Sequence, residues 1–560
     1  MLRTFNTHKI RTVRELTGTL WDFTPCQGEN AGKIYKVATP CCFESHPEFT
    51  NYRGEGDYTT KFFIDHREES GQTIRLEFKG VSHTATVFLD GKEIASHYNA
   101  YTIFDVIVKN LAEGEHTLTV RADNRFSSKS ALHVPNDYMS YGGLSRPVAL
   151  EILPGQFLRT LHVTPFRKNS GWCAKIEAVI ENISGEDANL DLKLLLAGQT
   201  SLMEKIIVKA GEQKSVSTEM SFEEVAEWSP QNPALYFVTA LLIKDGTAID
   251  DLIDRIGFRE VKVDGKDILL NGKKLRIKGL CRHEDHPQFG CALPYAAMAA
   301  DLEIIKHLGA NSVRTAHYPN DEIFLDLCDE EGILVWEENH ARGLSEQAMR
   351  NPNFETQAEK VIEEMIPAHY NHPSIYIWGI LNECASDTEY GRECYRKQFE
   401  IIRKLDSSRP CSFASCKFKT DICFDLPDVV SYNIYPLWYH DTPADEYLDD
   451  LYQWVQNATG GAGKPFLITE IGAGAIYGYH NAYHSKWTEE YQKEALQKQL
   501  DAVLHYPDCS GVYIWQFCDI RISEECFSAR PRTMNNKGIV DEFRRRKLAY
   551  DVVKEIFEKE

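Results

Sequence analysis

The sequence predicts a three-part fold in which two β-sandwiches precede a (β/α)8 barrel. From about residue 20 to 260, short runs of alternating apolar and polar residues are separated by turn residues, which is typical of β-sandwiches. From Lys278 onward, apolar strand candidates alternate with amphipathic helical patterns. The chain of 560 residues is also too long for a single hydrophobic core, so several domains are expected.

The first β region, taken as residues 1–155, is defined by alternation. Apolar and polar residues alternate over Thr73–Phe78 and Ala85–Leu89, and Asp90-Gly91 then supplies the chemistry of a hairpin turn. Thr117–Val120 repeats the pattern. Because successive side chains of a strand point to opposite faces, these strands should have one buried face, as in a β-sandwich.

Residues 156–260 form a second and smaller β region. Strand patterns lie at Cys173–Ile180, Leu190–Leu196 and Leu235–Ile243. A length of about 100 residues fits an immunoglobulin-like sandwich.

Residues 261–560 have an α/β pattern, and eight βα units are predicted there. The strand candidates are Ile277–Arg282, Asn311–His317, Ile333–Glu338, Ile375–Glu383, Cys411–Ser415, Val429–Tyr435, Phe466–Glu470 and Val512–Asp519. The helical patterns include Tyr295–Leu308, Glu322–Glu331, Gln357–Tyr370, Glu389–Leu405 and Glu489–His505. Eight such units predict a TIM barrel, in which the chemistry lies at the C-terminal ends of the strands.

Two of these strands end in a glutamate. A buried strand has no apolar reason to finish on Asn382-Glu383, since an isolated carboxylate in a low dielectric is costly. The strand that ends at Glu470 has the same design. Either glutamate alone could be a surface residue at the start of a loop, but two in one repeating pattern favour a paired-carboxylate glycosidase. In the retaining form, Glu383 would be the acid/base, Glu470 the nucleophile, and their carboxyl groups about 5–5.5 Å apart.

Other polar and aromatic residues follow the predicted strands. Asn382 could hydrogen-bond a sugar hydroxyl beside the reacting centre. Tyr435 and Tyr439 lie in an aromatic cluster after the sixth strand, where sugar stacking and loop packing are both open interpretations. His283-Glu284-Asp285-His286 allows a metal interpretation, but its spacing matches no zinc signature, so a hydrogen-bonding wall that includes His283 is favoured. We therefore expect neither a metal nor a cofactor.

A basic segment, Arg530–Gly538, follows the eighth strand. It is notable in a chain with a formal net charge of −21. At the barrel mouth it would bring positive charge toward a substrate carboxylate, although a solvated loop would have the same composition.

Composition excludes some classes of partner. A net charge of −21 argues against nucleic acid and anionic membranes, which both require an electropositive surface. No apolar run is long enough to span a bilayer, and the first residues lack the apolar core of a secretory signal. The 15 cysteines show no disulfide-scaffold spacing. We therefore expect a cytoplasmic protein with reduced thiols.

The sequence contains six motifs in order: Tyr141–Arg146, His283-Glu284-Asp285, Gly309–Pro319, Asn371–Ser374, Asn382-Glu383 and Thr469–Gly472. Together these motifs resemble glycoside hydrolase family 2, and within it the β-glucuronidase branch. The resemblance covers essentially the whole chain, and so many motifs in one order are highly specific. It implies a sugar-binding jelly-roll domain, an immunoglobulin-like domain and a catalytic TIM barrel, with Glu383 as acid/base and Glu470 as nucleophile.

The branch rests on Asn535-Asn536-Lys537, which resembles the Asn-x-Lys motif that holds the sugar carboxylate in β-glucuronidases. Trp515, Asn433, Tyr435 and Tyr439 also match pocket positions of that branch. One departure follows Leu153-Pro154, where an Asp pair that helps to bind the sugar is expected and this chain has Arg159-Thr160. We include Arg159 among the candidate substrate-binding residues, and this departure keeps the configuration at C4 of the sugar open.

The resulting expectation is a retaining, exo-acting β-glucuronidase that acts on a small-molecule uronide and forms a homo-oligomer. A β-galacturonidase and then a β-galactosidase remain alternatives. A catalytically silent carbohydrate-binding scaffold is the alternative from another class, and the presence of Glu383, Glu470 and Lys537 argues against it.

Overall fold

The computed structural model describes residues 1–65, 72–168, 171–525 and 530–559. Within these ranges, no helix has the length and apolar character needed to cross a membrane.

The first domain is a β-sandwich. One sheet has the strand order β1-β12-β6-β9 and the other β3-β2-β5-β10-β7-β8, while β4 and β11 form a separate pair. The alternation expected from the sequence is present, since every second residue of β6 is buried between the sheets. The strands are β1 (Thr12–Glu15), β2 (Leu20–Pro25), β3 (Tyr35–Ala38), β4 (Cys41–Cys42), β5 (Glu55–Ile64), β6 (Gln72–Phe78), β7 (Thr84–Leu89), β8 (Lys92–Tyr98), β9 (Phe104–Leu111), β10 (Gly114–Asp123), β11 (Gly143–Leu144) and β12 (Val148–Leu153).

The second domain is a smaller sandwich with its own core. Its sheets have the orders β13-β14-β17 and β16-β15-β20-β21. The strands are β13 (Gln156–Lys168), β14 (Gly171–Asn182), β15 (Ala188–Leu196), β16 (Gln199–Val208), β17 (Gln213–Phe222), β18 (Trp228–Ser229), β19 (Asn232–Pro233), β20 (Tyr236–Lys244) and β21 (Thr247–Ile256). A three-stranded sheet of β22 (Val261–Asp264), β23 (Asp267–Leu270) and β24 (Lys273–Lys274) then leads into the third domain.

The third domain is the predicted barrel. Eight parallel strands form one sheet, and a bridge between Ser415 and Tyr432 links its two edges. Every residue of these strands is buried except Lys278 of β25, which is half-buried, and this burial explains the apolar runs of the sequence. The strands are β25 (Ile277–Cys281), β26 (Ser312–Arg314), β27 (Leu334–Glu338), β28 (Ile375–Ile380), β29 (Cys411–Phe413), β30 (Val430–Asn433), β31 (Phe466–Ile471) and β32 (Cys509–Ile514).

Among the described residues, an α-helix follows each of these strands except β29, and two helices follow β27. Asp321 caps α2 by accepting a hydrogen bond from the backbone N–H of Ile323, and Gly332 ends that helix with a φ of +71°. The helices are α1 (Tyr295–His307), α2 (Glu322–Glu331), α3 (Glu346–Met349), α4 (Phe354–His369), α5 (Glu389–Leu405), α6 (Ala444–Ala458), α7 (Glu489–Leu504) and α8 (Ala549–Lys559). Two sandwiches followed by a TIM barrel confirm the predicted fold class.

A segment of the first domain lies against the barrel mouth. This strap, residues 127–141, hydrogen-bonds to the barrel at several points, including Gln357 Nε2 to the Lys129 carbonyl (2.7 Å) and Tyr138 Oη to His340 Nε2 (3.1 Å). Just beyond it, Arg146 forms a buried ion pair with Glu284 at 2.8 Å. The first domain therefore contributes residues to the face of the barrel where the chemistry is expected.

Candidate active site

A cavity of about 230 Å³ lies at the C-terminal end of the barrel strands. Both strand-end glutamates line it, together with residues of four other barrel loops and one residue of the strap. Its lining residues are Asp137, Arg342, Glu383, Cys416, Asn433, Tyr435, Tyr439, His440, Tyr447, Glu470, Trp515, Arg530 and Lys537. Seven of the eleven predicted site residues are therefore brought together in one cavity.

Glu470 lies within β31 and is deeply buried, with a side chain 4% exposed. Arg314 Nη1 donates to its Oε1 at 2.9 Å, and the Tyr435 hydroxyl donates to its Oε2 at 2.5 Å. Both carboxylate oxygens are thereby held by donors, which fixes the orientation of the group and favours its charged form.

Arg314 connects several strand ends. It comes from β26, is fully buried, and donates to Glu338 through Nε (2.9 Å) and Nη2 (3.0 Å). Its Nη2 also donates to Asn382 Oδ1 at 2.8 Å. Because one guanidinium contacts Glu338, Asn382 and Glu470, the ends of β27, β28 and β31 are held in a fixed relation.

Glu383 lies just beyond β28 in a different environment. Its side chain is 16% exposed, and its Oε1 accepts a hydrogen bond from Asn433 Nδ2 at 2.9 Å. Its Oε2 lies 3.4 Å from a guanidinium nitrogen of Arg342. The φ of Glu383 is +55°, a left-handed conformation that is uncommon for a residue with a side chain and is often found at functional sites.

The carboxyl group of Glu470 has a raised pKa. Burial, followed by the nearby charge of Glu383, raises the pKa of Glu470 to about 7, while Arg314 and Tyr435 act in the opposite direction. Two close carboxylates in a buried cavity disfavour a double negative charge, so the pair retains a proton near neutral pH.

Asn382 lies beside the carboxyl pair and is 1% exposed. Its Oδ1 accepts from Arg314 and from Asn433, but its Nδ2 has no partner among the described residues. A buried amide N–H without a partner is costly, so this atom is available for a bound hydroxyl group.

Trp515 lines the cavity, and the ring of His283 lies next to it. Trp515 stacks on His317 with ring centroids 5.0 Å apart, and the ring of His283 meets it edge-on at 5.4 Å. His283 does not itself line the cavity, so its role as a hydrogen-bonding wall residue stays a prediction.

Lys537 provides the buried cation of the cavity. It is 2% exposed, and its Nζ lies 5.3 Å from the ring centroid of Tyr439. Burial lowers the pKa of Lys537, Tyr439 acts against this, and the charge of Arg530 lowers it further. A bound carboxylate would pair with the buried ammonium group of Lys537 and stabilise its charged form.

Asn535 lies behind the cavity. It is fully buried and donates from Nδ2 to Asp137 Oδ2 at 3.3 Å. Pairing of Ile520 with Asn535 holds the segment that carries Lys537 against the loop that follows β32.

Asp137 and Arg342 are cavity residues that the sequence did not indicate. Arg342 lies 3.3 Å from Asp137, and Arg530 lies 3.2 Å from the same carboxylate. Asp137 comes from the strap of the first domain, and Arg342 from an irregular loop after β27. Neither lies in a periodic segment, so no local pattern marks them.

The expectation for Arg159 is corrected by its position. Arg159 lies in β13 and forms an ion pair with Asp105 at 2.7 Å. It lines a separate cavity of about 280 Å³ at the junction of the three domains. The acidic residue of the first domain at the catalytic cavity is instead Asp137, 22 positions earlier.

Among the described residues, the side chains of His283–His286 do not belong to a converging group of possible metal ligands. Glu284 is paired with Arg146, and Asp285 accepts a hydrogen bond from the Tyr141 hydroxyl at 2.7 Å. His283 instead contacts the hydroxyl of Tyr318 at 3.2 Å. These side chains therefore join the first domain to the barrel.

A β-sandwich pair, a TIM barrel and two glutamates at its mouth define the class of glycoside hydrolases. Models of family domains match in the same order: "Glycosyl hydrolase 2 galactose-binding domain-like" at residues 51–156, "Glycosyl hydrolases family 2" at 156–259 and "Glycosyl hydrolases family 2, TIM barrel domain" at 261–559. The chain belongs to glycoside hydrolase family 2.

Among curated relatives, a beta-glucuronidase of Paenibacillus borealis is 28% identical over 521 residues, which cover 87% of this chain and 85% of the relative. A putative beta-glucuronidase of Formosa agariphila is 27% identical over 546 residues, covering 91% of this chain but only 65% of that longer protein.

A solved structure shows greater similarity. It is that of a family 2 beta-galacturonidase from Eisenbergiella tayi bound to galacturonate. The two chains are 58% identical with a TM-score of 0.97, and the match covers 100% of this chain and 99% of the other.

Proposed function

We propose that the chain is a retaining, exo-acting β-uronidase that hydrolyses β-D-glucuronides to D-glucuronate and an aglycone. The observation that carries this proposal is the presence of buried Lys537 in the same cavity as Glu383 and Glu470. Two carboxyl groups supply the chemistry of glycoside hydrolysis, and a buried cation supplies recognition of a charged sugar. A cavity of about 230 Å³ is also small enough to favour a single terminal sugar.

In the proposed first step, a carboxylate oxygen of Glu470 attacks the anomeric carbon. The bond from that carbon to the glycosidic oxygen breaks, and Glu383 gives its proton to the departing oxygen. Arg314 and Tyr435 both donate to Glu470, which orients its carboxylate oxygens and stabilises the negative charge that the attacking group must carry.

In the second step, water attacks the anomeric carbon of the glycosyl-enzyme. Glu383, now ionised, accepts the proton of the water, and Glu470 leaves as a carboxylate. Two displacements at the same carbon retain its configuration. Asn382 Nδ2, which has no partner among the described residues, is proposed to donate to a sugar hydroxyl next to that carbon during both steps.

A second candidate substrate is a β-D-galacturonide. The specific observation that favours it is the 58% identity to the beta-galacturonidase of Eisenbergiella tayi, compared with 28% to the beta-glucuronidase of Paenibacillus borealis. The two sugars differ only in configuration at C4, so both would use the same carboxyl pair and the same cation.

The experiment is a comparison of kcat/KM on 4-nitrophenyl β-D-glucuronide, β-D-galacturonide and β-D-galactoside. Turnover of either uronide at least tenfold faster than the galactoside supports the uronidase proposal, and the ratio of the two uronides assigns C4. A preference for the galactoside would overturn the proposal that the enzyme recognises a sugar carboxylate. Absence of turnover of all three substrates would favour the catalytically silent carbohydrate-binding scaffold.

Replacing Lys537 tests the cation directly. Since a hydrogen bond to a charged group contributes roughly 1.5–3 kcal/mol, Lys537→Ala should lower kcat/KM on the preferred uronide by about one to two orders of magnitude. Turnover of the matching neutral glycoside should stay the same or improve. The control is Lys493→Ala on the exposed side of α7, which should change neither rate. An equal loss on both substrates would indicate a folding defect and contradict the proposed role.

We further infer a cytoplasmic location and a homo-oligomeric assembly. The 14 cysteines of the described residues are free thiols, which supports a reducing compartment. Light scattering on the purified protein measures the assembly, and fractionation of the source cells tests the location.

A further inference from the structure

The catalytic cavity continues into a row of aromatic side chains that no step of the proposed mechanism uses. His440 and Tyr447 line the cavity, and their rings stack with centroids 5.3 Å apart. Phe418 extends the row, with its ring centroid 5.0 Å from that of Tyr447. We refer to Phe418, His440 and Tyr447 as the aromatic rim.

The aromatic rim lies on the same side of the cavity as Glu383. The backbone N–H of Glu383 donates to the carbonyl of Ala414 at 2.9 Å, which places the chain leading to Phe418 directly beside it. Cys416, between these two positions, lines the cavity. Glu383 is also the shallower carboxyl, with a side-chain exposure of 16% compared with 4% for Glu470.

The position of Glu383 fixes where a leaving group would lie. The acid must reach the glycosidic oxygen, so the aglycone begins at Glu383 and extends away from the sugar. The sugar carboxylate is assigned to Lys537, which follows β32, whereas Phe418 follows β29 on another part of the barrel circumference. A uronide bound to Lys537 and Glu383 therefore directs its aglycone toward the aromatic rim.

The exposure of the aromatic rim leaves apolar surface available to bind part of a ligand. Phe418 is 37% exposed, although a phenylalanine ring beside a binding cavity gains free energy when a ligand covers it. Aromatic rings also contact one another favourably in edge-to-face and offset-stacked arrangements, so a flat ring fits this surface better than a short alkyl group.

We propose that Phe418, His440 and Tyr447 form an aglycone subsite selective for an aromatic aglycone. The proposal rests on the uronidase function above and specifies the substrate class of the same site. It makes aryl uronides, rather than alkyl uronides, the substrates that the cavity and its rim bind together.

The test measures binding without turnover. Phenyl and methyl 1-thio-β-D-uronides, in both the gluco and galacto series, are assayed as competitive inhibitors of the wild-type enzyme. The phenyl compound should inhibit with a Ki roughly tenfold lower than that of the methyl compound, a difference of about 1.4 kcal/mol. Phe418→Ala should reduce this ratio at least threefold while leaving the Ki of the methyl compound unchanged.

Two further variants and one further ligand sharpen the result. Phe418→Leu keeps an apolar side chain without the ring and should also lower the ratio, whereas Phe63→Ala, at an exposed phenylalanine of the first domain, should leave it unchanged. A cyclohexyl thiouronide should bind more weakly than the phenyl compound, and equal binding would overturn the aromatic selectivity.

The failures of the two proposals are distinguishable. Equal Ki values for the phenyl and methyl compounds in the wild type, or a ratio unaffected by Phe418→Ala and Tyr447→Ala, would overturn the subsite while leaving the uronidase function intact. Absence of inhibition by all of the thiouronides, in both sugar series, would instead count against the uronidase function itself.

Discussion

Strands β28 and β31 share one sequence design but present their glutamates to different surroundings. Glu470 is 4% exposed and receives hydrogen bonds from Arg314 and Tyr435, whereas Glu383 is 16% exposed and contacts Asn433 and Arg342. An apolar strand that ends in a carboxylate therefore does not specify what that carboxylate does. Its role follows from the donors around it, which come from other strands and loops.

The difference between the two sites supports the roles proposed for the two glutamates. A carboxylate held at both oxygens by donors is oriented for attack, which supports the proposed role of Glu470 as the nucleophile. A shallower carboxyl beside the cavity opening is suited to exchange a proton with a leaving group and then with water, which describes Glu383. The following predictions test this division, beginning with the largest effect.

Removing the nucleophile should have the largest effect. Glu470→Gln is nearly isosteric, so the fold should persist, but the amide cannot form the glycosyl-enzyme. We expect kcat on a 4-nitrophenyl uronide to fall by at least about four orders of magnitude. The control Glu113→Gln, at an exposed position of the first domain, should be as active as the wild type. Residual activity within tenfold of the wild type would exclude Glu470 as the nucleophile.

Removing the acid/base should have an effect that depends on the substrate. For a uronide of an aliphatic alcohol, Glu383→Gln should lower kcat/KM by about two to four orders of magnitude, because the departing alkoxide needs a proton. For a 4-nitrophenyl uronide the loss in the glycosylation step should be much smaller. The measurement is a plot of log kcat/KM against the pKa of the leaving group, which should be steeper for the variant. Parallel plots would contradict the assignment.

The smallest expected effect is on stability. The pKa of Glu470 is raised to about 7 from an ordinary value of 4.5, so the folded protein holds this proton more tightly than the unfolded chain. Its favourable contribution is complete below pH 4.5 and is lost as the pH rises to about 7. Glu470→Gln removes this dependence, so its stability relative to the wild type should be greater at pH 8 than at pH 5, by up to about 3 kcal/mol.

Urea unfolding of both proteins at the two pH values measures this difference. Glu113→Gln is again the control, since an exposed carboxyl should give the same relative stability at both. A Glu470→Gln variant that gains no relative stability at pH 8 would show that the donors around Glu470 outweigh its burial.

Much of the barrel could be predicted because its signals are local. Each of the eight strand candidates overlaps an observed strand, and the periodicity of α2 and α5 agrees with the predicted bounds. The predicted strand candidates often extended too far, as for Asn311–His317, of which only Ser312–Arg314 is strand. Polar residues that follow a strand can continue its pattern in the sequence while the backbone has already turned into the cavity.

The candidate site was predictable only in part, and Arg159 illustrates the reason. Its assignment depended on its distance along the chain from Leu153-Pro154, but β13 carries it along the second domain to Asp105. Asp137 reaches the cavity because the strap is folded against a barrel more than 100 residues further along the chain. Contacts of that kind have no signature in local periodicity.

The sequence by itself determined the class of fold, the two strand-end glutamates and the basic segment that carries Lys537. These follow from periodicity, burial and charge, which are properties of short segments and can be recognised without knowing the tertiary contacts of those segments. Only the tertiary structure decided that Arg314 and Tyr435 hold Glu470, that Arg342 contacts Glu383, and that Asp137 of the first domain completes the cavity. The physical reason is that the charge state and orientation of a buried carboxyl depend on groups within a few ångströms of it, and here those groups come from strands and loops that are distant in the chain.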